Sequence, residues 1–278
     1  MTAFLLAAAA GFFLEISSSI GKHELLKKKE SLYAVGFLGS VWATLFLLIW
    51  TLVVSKEFVF SIESLPTFLL RAVLEVILVF VSLGAIRDAD RSTFAFLRVL
   101  TIPVLLLVDV ILGYSLSSLQ IGGVLVLLIA FLMLASGHAL SSKGKLLAAS
   151  SALLAVATIA LYKYNITHFN SVEAEQSIMH AITFTAIIIA AVVQGRENVF
   201  KYLLRPLCLI QSFAAGIAAV CMSFAYAFVP ASIALTMKRS FEMGAAVIFG
   251  RAYFAEQKPL LKFVALALMV CGIVLITF

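Results

Sequence analysis

Ten apolar runs cover most of the chain, at 2–20, 32–54, 65–86, 93–113, 119–136, 146–162, 176–194, 207–227, 229–250 and 260–278. A helix crossing a ~30 Å hydrocarbon core needs about 20 apolar residues. None of the runs alternates with period 2, and each is too long for a ~10-residue barrel strand. A helix also satisfies its backbone polar groups internally, which lipid requires. The pattern predicts an all-α integral membrane protein with ten transmembrane helices. The connections are short and leave no room for a soluble domain.

Composition agrees. Of 278 residues, 63% are hydrophobic and 12% charged, and the mean hydropathy is +1.14. Soluble domains carry roughly 45–50% apolar and about 25% charged residues. A soluble enzyme and a disordered protein are thereby excluded. With 15 Gly, 5 Pro and 3 Cys, so are a collagen-like chain and a disulfide scaffold. Cys208, Cys221 and Cys271 all fall in apolar runs and read as small buried hydrophobes.

The net charge of +6 has a membrane explanation. Thirteen of the 20 basic residues lie in odd-numbered connections or their flanks, and only Lys56 and Lys163 lie in even ones. Excess Lys and Arg marks the cytoplasmic side, so odd connections are expected in the cytoplasm and both termini outside. The first run has its basic cluster, Lys27-Lys28-Lys29, after it rather than before it. That is the reverse of a signal peptide, and a retained helix is expected.

A shift of 142 residues lays 4–20 on 146–162, Gly113 on Ala255, Arg98 on Ser240 beside Arg239, and 120–134 on 262–276. Five helices per half is an odd number, so the second half enters from the opposite side. The expectation is two inverted five-helix repeats, 1–140 and 141–278, within one membrane domain. Sites in such proteins lie near the midplane at the repeat interface. The alternative is that any ten-helix chain halves with some overlap.

Charges inside the runs carry the candidate chemistry. Each costs roughly 2.5–3.5 kcal/mol at a helix centre. Arg251 can snorkel from its helix end, and Asp109 lies about one turn from its own. Arg71 and Glu75 are four apart and can pair on one helix face. Such a pair either orients the third helix inward or leaves Glu75 as a proton carrier or a ligand for a substrate cation. Lys238-Arg239 lies mid-run, with Glu242 within reach of both. One carboxylate cannot neutralise two cations, so an acceptor is needed: Glu15, Glu75, a carbonyl or an anionic substrate group. Arg98 lies near Pro103, which cannot bond to the Val99 carbonyl; a plain kink and a kink serving a site are both open. Ser17-Ser18-Ser19, after Glu15, suits close helix packing, as do mid-helix Gly11, Gly216 and Gly244. His180 reads as a satisfied polar contact rather than a proton relay. Nothing selects Trp42, Trp50 or Tyr226 as cavity walls. No P-loop, dinucleotide fingerprint, metal spacing or nucleophile elbow is present; Ala135-Ser136-Gly137-His138 lacks a partner base, and Asn165-Ile166-Thr167 is a glycosylation pattern common by chance.

Two stretches carry a family resemblance. One runs from Pro230 through Lys238-Arg239-Ser240 and Phe249-Gly250 to Phe254-Ala255-Glu256; the other runs from Arg98 through Pro103 to Gly113, then Gln120, Gly122 and Gly123. With ten short-looped helices, they resemble the ninth, and the fourth and fifth, helices of the drug/metabolite transporter (DMT) superfamily, specifically EamA-type permeases. The chain departs from that pattern in having Gly113-Tyr114 and Ala255-Glu256 where Gly-Glu is usual, and in its expected external termini. The resemblance implies a secondary carrier of small polar metabolites, working by alternating access without ATP, and so neither an enzyme nor a cofactor-binding protein. The expected setting is a bacterial inner (cell) membrane. Expected partners are the lipid bilayer, a small-molecule substrate and a coupling proton, with no nucleic acid.

On the residues alone, a midplane cationic pair favours a carboxylate or phosphate. The candidate substrate-binding set is Arg98, Lys238, Arg239, Glu75, Glu15 and Glu242, in a cavity between the first, third, fourth and ninth helices. The rival is a non-transporting assembly or receptor subunit, whose intramembrane charges would pair with one another in a dry core.

Overall fold

The computed structural model describes residues 2–55, 57–111, 117–136, 143–255 and 259–277. Lys56, Gly113-Tyr114, Gly137-His138, Glu256, Lys258 and the repeat boundary at 140/141 lie outside the described residues, as does the side chain of Asp109. The described residues form helices α1 (Thr2–Leu26), α2 (Leu32–Ile49), α3 (Leu65–Asp88), α4 (Arg91–Val99), α5 (Thr101–Ile111), α6 (Ser118–Ser136), α7 (Lys145–His168), α8 (Val172–Val193), α9 (Pro206–Phe228), α10 (Ala231–Phe254) and α11 (Pro259–Thr277). They contain no strand.

Eight helical segments are long and apolar enough to cross a membrane. The protein is an all-helical multi-pass membrane protein. Two of the ten sequence runs fall short of that standard for different reasons. α10 has the length but carries Lys238, Arg239, Glu242 and Arg251, and the apolar stretch of α11 covers only 260–276.

The fourth run is not one helix. It breaks at Leu100, between α4 and α5. Pro103 offers no N–H to the Val99 carbonyl, and α4 ends at that residue. The Leu100 N–H turns instead to the Leu97 carbonyl at 3.2 Å. The Thr101 hydroxyl takes up the Arg98 carbonyl at 2.6 Å.

The local signals that start helices recur at a fixed distance. Ser31 caps α2, its hydroxyl accepting from the Ala34 N–H, and Ser171 caps α8 by the same bond to Ala174. A 3₁₀ turn, Ile62–Ser64, leads into Pro66 and α3; another, Val199–Leu204, leads into Pro206 and α9. Both pairs are 140 residues apart. Packing follows the same correspondence. α1 packs on α9 and α10, while α7 packs on α3, α4 and α5; α2 meets α8, and α6 meets α11. Exchanging α1 with α7, α2 with α8, α3 with α9, α4–α5 with α10 and α6 with α11 leaves these pairings unchanged.

Glycine permits two of the closest approaches. A β-carbon on Gly11 would overlap the Lys238 carbonyl oxygen and come within 3.0 Å of the Glu242 amide nitrogen. Gly123 and Gly272 bring α6 and α11 together in the same way. Gly216 faces the Trp42 side chain and backbone, whereas Gly244, expected at a close contact, has nothing near it. The cysteines also divide against expectation: Cys208 is buried, Cys221 partly so, and Cys271 is exposed. We expect Gly11→Leu to separate α1 from α10 and to cost about 1–3 kcal/mol or more. This would be read as a lower unfolding midpoint in detergent; an unchanged midpoint would contradict the contact.

Candidate functional site

A cavity of about 320 Å³ lies among α1, α2, α3, α4, α8, α9 and α10. Its wall therefore includes α2, α8 and α9, beyond the four helices anticipated. The polar groups facing it include Ser17 and Ser18 of α1, Glu75 of α3, Arg98 of α4, His180 of α8, Gln211 of α9 and Lys238 of α10. A smaller cavity of about 160 Å³ adjoins it across Glu75 and His180 and continues to Arg71, Tyr162, Gln176 and Tyr226.

Three of the six candidate residues meet at this cavity. Arg98 lies with its guanidinium 5.3 Å from the centre of the Phe94 ring, and its Nε is buried without a hydrogen-bond partner. Lys238 comes from α10, 140 residues later, and its Nζ is 3.8 Å from Glu242 Oε2. Glu75 faces them from α3 and makes no side-chain hydrogen bond or ion pair among the described residues.

The expected Arg71–Glu75 pair does not form. Arg71 turns to α8 and pairs with Glu175, Nη1 to Oε1 at 2.7 Å, while Nη2 donates to Gln176 Oε1 at 3.1 Å. Glu175 wins because it is already held as an acceptor. Asn165 and Asn170 donate their amides to it at 2.9 and 2.5 Å. The Tyr162 ring also backs the guanidinium at 4.5 Å. Further bonds tie this cluster across the two halves: Thr67 to Asn165 at 2.6 Å, Asn170 to Ser64 at 3.0 Å, and the Ser171 N–H to the Val59 carbonyl at 2.9 Å. The result is a polar plug at the end of the second and sixth connections, and it leaves Glu75 to the cavity.

The other three candidates lie behind the cavity wall. Arg239 is 1% exposed and bonds to Glu242 within its own helix. Glu15 is fully buried and held in a two-point fork by Arg91, Nε to Oε1 at 3.1 Å and Nη2 to Oε2 at 2.7 Å. Ser19 donates to the same carboxylate at 2.8 Å, so of the three serines it serves Glu15 while Ser17 and Ser18 line the cavity.

Sequence reasoning missed Arg91, Glu175 and Gln211. Arg91 was counted with a connection, yet it is fully buried. Its spacing of seven from Arg98 puts the two on one face of α4, and Glu15 needed a cation; together these were the available signal. His180 is not the satisfied polar contact expected of it. Its Nδ1 is buried without a partner, on the boundary of the two cavities.

The arrangement presents a forked cation, a point cation, a carboxylate and hydroxyls to one small volume. Arg binds carboxylate or phosphate in a bidentate fork, while Lys acts as a point charge. No protein-family model matches the chain, and no curated protein matches it. The chemistry of the site rests on its own geometry.

Proposed function

We propose that the protein is a secondary carrier, moving a small polar metabolite with a carboxylate or phosphate group by alternating access. One observation carries this reading: Arg98, Lys238 and Glu75 converge on one cavity, and Glu75 has no fixed partner among the described residues. A non-transporting subunit would have paired its charges in a dry core, as Glu15–Arg91 and Arg71–Glu175 are paired. The charge balance supports an anionic group. Among the described residues, the charges that act on one another at and behind the cavity wall include Arg91, Arg98, Lys238 and Arg239 against Glu15, Glu75 and Glu242, one cation in excess. An anion on Arg98 and Lys238 would offset it, and Glu75 can accept a substrate amino group or a coupling proton.

The same reading takes α10 and α11 as the ninth and tenth spans. The exchangeable packing pairs and the 140-residue offset support an inverted repeat, with α4 and α5 as one interrupted span. Broken helices at membrane depth occur where they border a protein-lined cavity. The excess of basic residues in odd connections supports a cytoplasmic position for those connections and external termini, in a cell membrane. The resemblance to EamA-type permeases of the DMT superfamily agrees with the ten spans and the inverted repeat, and differs in the external termini.

The test is a thermal-shift screen of purified protein against amino acids, nucleotides and their derivatives, because a ligand stabilises the state it binds. A hydrogen bond to a charged group contributes about 1.5–3 kcal/mol, so Arg98→Ala and Lys238→Ala are each expected to weaken a hit roughly ten- to a hundredfold. Full affinity in both variants, with liposome uptake at the parent rate, would overturn the reading.

A further inference from the structure

The plug at Arg71 and Glu175 contains its own cation. At the corresponding place at the other end of the cavity, an amide stands in the position of that cation. Pro206 stands 140 residues after Pro66, so Gln211 of α9 stands where Arg71 stands in α3. Around Gln211 the buried groups are acidic. Glu24, near the end of α1, is 4% exposed, and Glu30, before the α2 cap, is 5% exposed. Cys208 donates its thiol to Glu30 Oε1 at 2.9 Å, leaving Oε2 without a partner; Glu24 Oε1 has none either. Gln211 is fully buried, borders the main cavity and acts on Glu30 through its amide, though no short hydrogen bond fixes either atom of that amide. Two buried carboxylate oxygens without partners and an amide that no short bond fixes thus lie close together.

The neighbouring charges make bonds to other groups, and Arg205 acts on Glu30 through its charge alone. Arg205 donates to the Lys29 carbonyl at 3.0 Å and lies 5.0 Å from the Tyr202 ring centre. Lys22 donates to the Ala89 carbonyl and lies 5.6 Å from the Phe254 ring centre. Glu197 is held by Ser31 and Tyr202. Lys27, Lys28 and Lys29 are exposed.

We infer that Glu30 takes up a proton here, and that taking it up closes this end of the cavity as the Arg71 guanidinium closes the other. The inference rests on the carrier reading for its purpose, since it supplies that carrier with a coupling ion. The direction follows from linkage. Burial, and then the charge of Glu24, push the Glu30 carboxyl above its ordinary range, against the opposing pull of Cys208, Arg205 and Gln211. When the end opens, water returns and that rise is lost. The closed form therefore binds the proton more tightly. Closure is favoured at low pH and lost as pH rises through the raised titration of Glu30.

The experiment measures a distance across this end and needs no substrate. Spin labels go on Lys27→Cys and Lys201→Cys, both exposed positions, in full-length protein in lipid nanodiscs. The background carries Cys208→Ser, which keeps a donor to Glu30, with Cys221→Ala and Cys271→Ala. The label separation is expected to shorten on acidification. Glu30→Gln, a near-isosteric neutral side chain, should hold the short distance at every pH. Glu24→Gln should move the midpoint to lower pH, because it removes the repulsion. A separation that ignores pH in the parent overturns the inference. So does a Glu30→Gln protein that still responds to pH or stays long throughout. Metabolite binding at Arg98 without a pH response would sink the proton site alone. A pH response lost in Glu30→Gln, with no metabolite bound, would sink the carrier reading alone.

Discussion

Glu175→Ala is expected to lower the unfolding free energy by about 3–5 kcal/mol, the usual cost of removing one partner from a buried ion pair. Glu175 is fully buried and Arg71 is 4% exposed. The loss therefore strands a guanidinium, and also two amide donors, from Asn165 and Asn170. An exposed pair would yield only about 0–1 kcal/mol, which sets the threshold. Denaturant titration of purified protein measures the difference, and a loss below about 1 kcal/mol would show that water already reaches the plug. The double variant Arg71→Ala with Glu175→Ala should recover part of the loss, because it no longer leaves a charge without its counter-charge. The plug ties 59–71 to 165–176, so the single variant is also expected to increase hydrogen exchange at the Ser171 amide, which bonds to the Val59 carbonyl.

The helices were legible because bilayer thickness sets a length that apolar runs must meet. Their ends were less so, since caps and 3₁₀ turns extend beyond the apolar part. The repeat offset illustrates the difference. A shift of 142 fits the last residues of α1 and α7, Leu26 and His168, but Ser31 and Ser171 are 140 apart. The connection after α1 is two residues longer than the one after α7. Hydropathy is insensitive to that change, but side chains are not. At 142, Arg98 falls on Ser240; at 140 it falls on Lys238, its counterpart across the cavity.

Charge partners were the least legible part. Spacing of four allows Arg71 to reach Glu75, but it cannot weigh a tertiary rival already supplied with amide donors. Loop counting has a similar blind spot. It treats Lys22 and Arg91 as surface cations, whereas they are 6% and 0% exposed. Gln211 gave no signal at all, because an uncharged amide in an apolar helix becomes informative only once its unmet hydrogen bonds are seen.

Glu15→Ala is expected to cost a similar amount, about 3–5 kcal/mol, and to separate structural from functional charge in this layer. Its carboxylate accepts two bonds from Arg91 and one from Ser19, all outside the cavity wall. Alanine leaves Arg91 without its carboxylate in a fully buried position. Glu15→Gln keeps an acceptor and the shape but not the charge, and should fall between alanine and the parent. Replacing both partners, Glu15→Leu with Arg91→Met, removes the charges together, and such exchanges are often neutral or stabilising. A purely structural pair therefore predicts that the double variant regains the parent's unfolding midpoint and binds a thermal-shift hit with unchanged affinity. If it regains stability but loses the ligand, the pair belongs to the binding site, and the boundary drawn between the Arg98–Lys238–Glu75 cavity and the layer behind it is wrong. If it regains neither, Arg91 is needed for more than Glu15. The most direct place to look is Glu242, whose carboxylate feels the charge of Arg91 as well as those of Lys238, Arg239 and Arg98.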